Sequence, residues 1–394
     1  RQIMKATSIF GGVQVVNIVI SILRSKIMAV LLGPAGIGVL GLLNSTILLI
    51  SSLTNFGLGI SGVKDIAAAN ESQDELRICR TVKVLHRLIW YTGILGALVT
   101  LFGASWLSKI AFGDSTYTIA FVWLSLTVLL KQLASGQFVV LQGLRRLKDL
   151  AKANVLGSAF GLLFSVPFYY LLGVEGIVPG LIITAICTFL VAQWYGNKIK
   201  LSRADVSHRE VKREGKGMMV MGFMLSLSGI MVLGESYAIR IFINATGGVE
   251  EVGLYNAGIA LISTYVGLLF TAMETDYYPR LSGVAHDNEK ANELVNQQTE
   301  IALLILAPVL IAFMVFIDWV IIILYSSEFI AVNTMIYWAF LGMFFKVPAW
   351  VIGFIFIAKG KSRLFFWSEL ASNLYLLLFN ILGYYFWGLT GLGI

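Results

Sequence analysis

The chain contains eleven apolar stretches of about 20 residues or more, and short polar segments separate them. A helix of this length crosses the hydrocarbon core of a bilayer and satisfies its own backbone hydrogen bonds there. The composition agrees, because only 13% of the residues are charged, against about 25% in soluble domains. We therefore predict an all-α polytopic membrane protein with spans at roughly 7–32, 37–61, 84–108, 117–142, 153–172, 177–197, 217–243, 253–275, 299–325, 329–357 and 363–387.

The sequence after the last predicted span is typical of a turn between two helices. Residues 389–394 read Leu-Thr-Gly-Leu-Gly-Ile, in which the two glycines mark a helix boundary. We therefore expect a bundle of twelve helices, of which about eleven lie in this sequence and the twelfth is missing. The expected lobes are residues 1–200 with the first six helices and residues 201–394 with the remainder.

Lysine and arginine are distributed unevenly between the two sides of the predicted helices. With a cytoplasmic N-terminus, 23 of the 29 basic residues fall in cytoplasmic segments and the outer loops hold only Lys109. This bias follows the positive-inside rule. We therefore predict a cytoplasmic N-terminus. These loops also explain the net charge of +7, so we expect no nucleic-acid partner.

Five basic residues fall inside the predicted helices instead. They are Arg24, Lys26, Lys131, Arg240 and Lys346. A charge at membrane depth is costly and is usually kept for a function, facing protein or a water-filled cavity. The alternative is that the long side chains reach the head groups at the membrane surface, which suits the arginines best because they lie towards the outer helix ends.

An internal repeat relates four of these five cations. Gly38 aligns with Gly253 at an offset of 215 positions, and the same offset carries Lys131 onto Lys346. An offset of 216 relates the two arginines of the set. Both halves begin on the same side, so the repeat is parallel. Two six-helix bundles that face each other would place these four cations around one central cavity, whereas Lys26 has no counterpart.

Polar residues recur at helical spacing beside these cations. In the first span, three polar side chains and Arg24 are spaced 3, 4 and 3 residues apart, which forms one stripe along the helix. The second and eighth spans carry similar polar positions. The predicted cavity lining is Gln14, Asn17, Ser21, Asn44, Ser51, Asn55 and Asn256. The alternative for each Ser and Asn is a hydrogen bond between helices without a role in transport.

A cavity with arginines and lysines favours an anionic ligand. Arginine grips phosphate with two parallel hydrogen bonds and lysine adds a point charge. A diphosphate-linked lipid would fit, with its head in the cavity and its tail in the bilayer. An exporter of cationic drugs would need acidic residues there instead.

Intramembrane acids are also present. Glu235 lies in the seventh predicted span, and Glu369 lies in the eleventh with Asn373 one turn later. These residues could form a site for H⁺ or Na⁺, or the two acids could pair with a cavity cation. Both interpretations remain open from the sequence.

Short motifs at the helix ends resemble those of Wzx-type polysaccharide flippases, which belong to the MOP exporter superfamily. These motifs are Leu-Gly-Pro-Ala-Gly-Ile-Gly at 32–38, Gly-Leu-Gly-Ile-Ser-Gly-Val at 57–63, Gln-Gly-Leu-Arg-Arg at 142–146, Tyr-Pro-Arg-Leu-Ser at 278–282 and Ile-Ala-Lys-Gly at 357–360. The likeness covers nearly the whole chain and is greatest to the O-antigen and enterobacterial common antigen translocases.

The resemblance implies twelve helices in two lobes that give alternating access. It implies a bacterial inner-membrane flippase of lipopolysaccharide biosynthesis that moves undecaprenyl-pyrophosphate-linked oligosaccharide from the cytoplasmic to the periplasmic leaflet. The five intramembrane cations match the pyrophosphate-binding residues of such flippases. Membrane lipids, a polysaccharide polymerase and chain-length proteins are the implied partners. Glu235 with Glu369 loosely resembles an ion site of the peptidoglycan lipid flippases.

Three other functions remain as alternatives. A peptidoglycan lipid precursor flippase would need the same cationic site, and an ion-coupled multidrug exporter shares the implied fold. A membrane enzyme such as a polymerase or ligase needs large outer loops, which this sequence lacks. Cys79 and Cys187 have no metal-site spacing, and no phosphate-binding loop occurs, so we expect no catalytic residues, metal or cofactor beyond a possible coupling ion.

Overall fold

The computed structural model describes residues 2–199 and 208–394, and within these ranges the regular structure is helical. Thirteen α-helices follow one another. They are α1 (Gln2–Asn55), α2 (Leu58–Glu71), α3 (Glu75–Phe102), α4 (Ala104–Phe112), α5 (Thr118–Gly143), α6 (Leu147–Leu172), α7 (Ile177–Asn197), α8 (His208–Gly247), α9 (Val249–Leu261), α10 (Gly267–Val284), α11 (Asn288–Leu324), α12 (Asn333–Ala358) and α13 (Ser362–Trp387). A π-helical turn, Ile262–Val266, joins α9 to α10, and short 3₁₀ turns lie elsewhere.

Nine segments of the described residues are long and apolar enough to cross a membrane. Two of them, Val16–Asn55 with 40 residues and Leu147–Asn197 with 51 residues, are each long enough for two crossings, since one crossing needs about 20 residues. In α1 the chain breaks at Gly33, whose φ of 63° is in the left-handed region, and Pro34 follows. The segments therefore contain the eleven spans expected from the sequence.

Several predicted boundaries were wrong. The second predicted span, 37–61, ends at Asn55, because Phe56 and Gly57 both have positive φ and α2 starts a new direction. The third, 84–108, is divided at Gly103 between α3 and α4. Helices α3, α8 and α11 begin earlier than predicted. Hydropathy detects only the part of a helix that matches lipid, whereas helical hydrogen bonding continues through the charged residues beyond it.

Aspartate caps stabilise two of these charged helix starts. Asp74 Oδ1 accepts hydrogen bonds from the backbone N–H groups of Leu76 and Arg77 at the start of α3. Asp287 accepts equivalent bonds from Glu289 and Lys290 at the start of α11, and hydrogen bonds from Lys290 lower the pKa of Asp287. Such caps satisfy N–H groups that have no partner within the helix, so a helix can begin in water.

The chain forms two compact units. The first comprises residues 1–32 and 42–237, and the second comprises 33–41 and 238–394. In the first unit, α2, α3, α5 and the start of α8 share an apolar core that includes Leu58, Ile66, Leu85 and Met218. The second unit has a core around fully buried Tyr277, whose hydroxyl donates to the carbonyl of Val351. The lobe boundary at residue 200 stays a prediction.

Many large apolar side chains point away from these cores. Phe102 is 83% exposed, Phe345 is 81% exposed and Leu171 is 75% exposed. In water such a surface would aggregate, but in a bilayer it contacts lipid chains. The exposed side chains therefore agree with the membrane location inferred from composition.

Candidate functional site

The first unit holds Arg24 inside the membrane span of α1. Its Nη2 donates to the backbone carbonyl of Ser158 on α6 at 3.5 Å, and the side chain is half-buried. Buried Tyr169, also on α6, lies near the same guanidinium. Arg24 is therefore held against α6 by a neutral acceptor, and none of the ion pairs found among the described residues includes it.

Lys131 lies half-way along α5, and its Nζ donates to Asn44 Oδ1 on α1 at 3.4 Å. The charges of Lys131 and Arg24 are close enough to repel each other. In the part of the chain that the structure describes, neither forms an ion pair with a carboxylate. Two unneutralised cations at membrane depth are unfavourable unless an anion joins them.

A buried polar network holds the helix segment next to Lys131. Gln132 accepts a hydrogen bond from Thr92 of α3 at 3.1 Å, and its Nε2 donates to Thr54 of α1 at 2.9 Å. The same Nε2 lies 3.5 Å from the carbonyl of Ser51. Because Gln132 is only 3% exposed, these bonds fix α5 against α1 and α3 and thereby set the position of Lys131.

The structure places the predicted cavity-lining residues of the first unit in different environments. Asn17 is half-buried and Ser21 is exposed, whereas the side chain of Gln14 lies outside the described residues. The Oγ of Ser51 and the Oδ1 of Asn55 are buried without a hydrogen-bond partner among the described residues. Buried polar atoms of this kind are usually satisfied by water or ligand.

The second unit holds Arg240 near the end of α8. Its Nε donates to Asn256 Oδ1 on α9 at 2.7 Å, and its guanidinium carbon lies 5.5 Å from the ring centre of Tyr255. The two contacts give the guanidinium a defined orientation. Lys346, on α12, is exposed, and in the first unit Lys26 is half-buried on α1. The structure thus brings Arg24 close to Lys131, while a shared cavity for all five cations stays a prediction.

Repeat-related residues meet in the second unit, where segment 33–41 crosses α9. A methyl group on Gly38 would stand 1.8 Å from the carbonyl oxygen of Val249, and one on Gly253 would stand 1.8 Å from that of Pro34. The same offset of 215 positions relates Gly38 to Gly253 and Pro34 to Val249. The contact is therefore reciprocal, as at a two-fold axis, and only glycine permits it.

The candidate ion-coupling residues lie in different units. Glu235 is half-buried on α8 in the first unit. Glu369 is half-buried on α13 in the second, where Asn373 Nδ2 donates to the backbone carbonyl of Glu369 at 2.7 Å. This bond stabilises α13 but does not engage the Glu369 carboxylate. An ion site that joins the two acids stays a prediction.

Sequence reasoning missed several residues that position the cations. Ser158 contributes a backbone carbonyl, which no residue type reveals, and Tyr169 is an aromatic residue in an aromatic-rich span. Gln132 could have been identified from the sequence, because a polar glutamine next to a lysine inside a membrane helix is energetically costly unless it has a role. Tyr255 had no distinguishing pattern.

Three comparisons with known proteins bear on this arrangement. The profile of a family described as polysaccharide biosynthesis protein matches residues 27–333. The chain is 24% identical over 370 residues to the lipid III flippases of Escherichia coli (strain K12) and Shigella flexneri. That alignment covers 92% of this chain and 87% of each relative.

Solved structures with a similar fold include two membrane proteins. One is the inward-facing conformation of a multidrug resistance MATE family transporter of the MOP superfamily, with a TM-score of 0.77, 17% identity and coverage of 95% of this chain and 89% of the other. The second is the lipid II flippase MurJ in an inward closed conformation, with a TM-score of 0.67, 13% identity and coverage of 99% and 83%. At these identities the likeness shows the fold alone.

The fold is therefore that of the MOP-superfamily transporters, which are multi-pass helical membrane proteins. The chain belongs to the polysaccharide biosynthesis protein family, since the family profile matches most of its length. The fold class and the resemblance predicted from the helix-end motifs are both confirmed.

Proposed function

We propose that this protein moves a lipid-linked oligosaccharide across the bacterial inner membrane, from the cytoplasmic to the periplasmic leaflet, and binds the diphosphate of that lipid at Arg24 and Lys131. The observation that carries the proposal is the absence of a carboxylate partner for either cation among the described residues. A diphosphate would supply the missing negative charge and accept a fork of hydrogen bonds from the guanidinium.

The relatives support this cargo class. The two proteins that align over most of this chain are lipid III flippases, and the family concerns polysaccharide biosynthesis. We infer that the lipid carrier is undecaprenyl pyrophosphate and that the cycle is one of alternating access. Membrane lipids surround the protein, and a polymerase and chain-length proteins are the expected downstream partners.

Arg240 extends the proposal to the second repeat. Its guanidinium is oriented by the hydrogen bond from Nε to Asn256 and by the nearby ring of Tyr255. We infer that Arg240 contacts the cargo at a different step of the cycle from Arg24. Lys346 and Lys26 complete the proposed cation set.

Binding of a short-chain polyprenyl diphosphate to the purified protein tests the proposal. The Arg24→Ala/Lys131→Ala double variant should bind about 100-fold more weakly or worse, since each charge-assisted hydrogen bond contributes about 1.5–3 kcal/mol. The matched control is Lys148→Ala/Lys152→Ala, which removes the same charge from two exposed positions at the start of α6 and should bind normally.

Two outcomes would overturn the proposal. The wild type would fail to bind the diphosphate and would bind a lipophilic cation instead, as expected of a drug exporter. Alternatively, Arg24→Ala/Lys131→Ala and the control would lose the same affinity for the diphosphate. Binding would then depend on the net charge of the protein and not on these two positions.

A further inference from the structure

Three helix ends of the first unit, which the charge distribution predicts to be cytoplasmic, line a pocket that the proposed diphosphate site does not use. Its volume is about 760 Å³, and it lies between the end of α2 and the beginnings of α3 and α8. This volume falls within the range of about 300–1,000 Å³ that is usual for small-molecule sites. The helix ends concerned carry many of the basic residues that predict the cytoplasmic side.

Charges of both signs line this pocket. Arg77 and Arg80 are spaced to lie on one face of α3, and Asp65 of α2 and Glu214 of α8 contribute carboxylates. Asp74 is also present, but its Oδ1 is occupied in capping α3. A strongly anionic ligand would meet the acids, and a cationic one would meet the arginines.

Apolar surface completes the pocket. Met218 and Met221 of α8 and Val84 of α3 lie beside the charged groups. Carboxylates accept hydrogen bonds from hydroxyl groups, guanidinium groups donate to hydroxyl and carbonyl oxygens, and methionines adapt to the carbon faces of a ligand. A neutral ligand with many hydroxyl groups can therefore contact the carboxylates, the arginines and the methionines of this pocket.

We propose that this pocket binds the sugar part of the cargo on the cytoplasmic side before translocation. The inference rests on the proposed function, because it takes the cargo to be a lipid-linked glycan. The pocket and the cation pair are connected through α3, where Thr92 bonds to Gln132 next to Lys131. Arg80 lies 12 residues before Thr92, about 18 Å along the helix axis, so glycan and diphosphate would occupy separate places.

A blocking variant tests the pocket without removing any charge. Gly217 lines the pocket, and a methyl group added there meets nothing within 4 Å, so Gly217→Trp should fill the space and leave α8 intact. Gly283→Trp is the matched control, because Gly283 on α10 is exposed and has equally open surroundings. Arg77→Ala is a second variant that opens the pocket instead of filling it.

The measurement is the ratio of two dissociation constants for each protein. The ligands are geranylgeranyl diphosphate and its conjugate with a linear oligosaccharide long enough to bridge the distance of about 18 Å between the two sites. We expect wild type and Gly283→Trp to bind the conjugate about tenfold more tightly than the bare diphosphate, as for one or two added hydrogen bonds. Gly217→Trp and Arg77→Ala should bring the ratio close to one while the bare diphosphate binds normally.

Each other outcome has a separate meaning. If the wild type binds both ligands equally, or if Gly217→Trp keeps the tenfold gain, the pocket does not bind sugar. If native mass spectrometry shows a phospholipid that is lost only from Gly217→Trp, the pocket is a lipid headgroup site and the inference is overturned. If the wild type binds neither ligand, the proposed function itself fails.

Discussion

Gly41 and Asn256 are separated by the repeat offset of 215 positions and lie directly against each other where segment 33–41 crosses α9. A methyl group on Gly41 would stand 1.9 Å from Asn256 Nδ2. Asn256 Oδ1 accepts the hydrogen bond from Arg240 Nε at 2.7 Å. The crossing of the two repeat-related segments therefore also orients an intramembrane arginine.

Glycine at this crossing should be irreplaceable. Gly38→Ala places its methyl group against the backbone of Val249, which cannot move aside as a flexible side chain would. We expect a loss of about 1–3 kcal/mol of stability from overpacking, seen as a lower Tm in thermal unfolding. Gly229→Ala on α8 is the control, because its methyl meets nothing within 4 Å, and it should be neutral or stabilising by up to about 1 kcal/mol. Equal Tm values for the two variants would contradict this account.

Gln132 should be essential for placing Lys131. Gln132→Leu removes the hydrogen bonds that join α5 to Thr92 and Thr54, and each threonine hydroxyl then keeps only its bond to a backbone carbonyl of its own helix. We expect destabilisation of about 1–3 kcal/mol together with weaker diphosphate binding. Gln142→Leu at the exposed end of α5 is the control. Unaltered stability and binding in Gln132→Leu would show that the network does not position the lysine.

Asp65 should make stability depend on pH. Burial raises the pKa of Asp65 above its ordinary value of 3.8, and Lys64 offsets part of that rise. A folded-state pKa above the unfolded one means that the stability contribution is present below the unfolded pKa and is lost as pH rises through the folded pKa. Asp65→Asn should therefore raise Tm by about 1–2 °C at pH 7 and by less near pH 4. A larger gain at the lower pH would reverse the assigned cause.

Glu235 and Glu369 should affect the pH dependence of transport if either carries a coupling proton. Each is half-buried in a membrane-spanning helix, where a neutral amide can replace a protonated carboxyl but cannot titrate. We expect Glu235→Gln or Glu369→Gln to alter the pH dependence of the transport rate. Glu274→Gln, at an exposed position of α10, serves as control. Wild-type pH profiles in both variants would remove these acids from the mechanism.

The sequence predicted the membrane spans well because a run of about 20 consecutive apolar residues is stable in lipid as an α-helix, which satisfies its own backbone hydrogen bonds. It predicted helix ends poorly, as at Phe56 and Gly57, because a break between two helices depends on local backbone angles and on what packs there. Gly222 lies against that break, with its added methyl group 2.5 Å from the carbonyl oxygen of Phe56. Such a contact joins positions far apart in the chain.

The candidate site was predictable to a similar degree. Arg24 and Lys131 were detectable because charge at membrane depth is costly, and the repeat supplied their counterparts. Their partners were not detectable, since Ser158 acts through its backbone carbonyl. The pocket at the ends of α2, α3 and α8 escaped notice because its arginines are ordinary members of the positive-inside pattern.

Movement of a lipid-linked oligosaccharide across proteoliposome membranes is the most direct test of the central claim. Arrival of the sugar in the opposite leaflet would be read from its accessibility to a membrane-impermeant lectin. We expect transport by the wild type and by Lys148→Ala/Lys152→Ala, and a loss of transport in folded Arg24→Ala/Lys131→Ala. Undiminished transport by that double variant, or extrusion of a lipophilic cation by a wild type that leaves the lipid in place, would contradict the account.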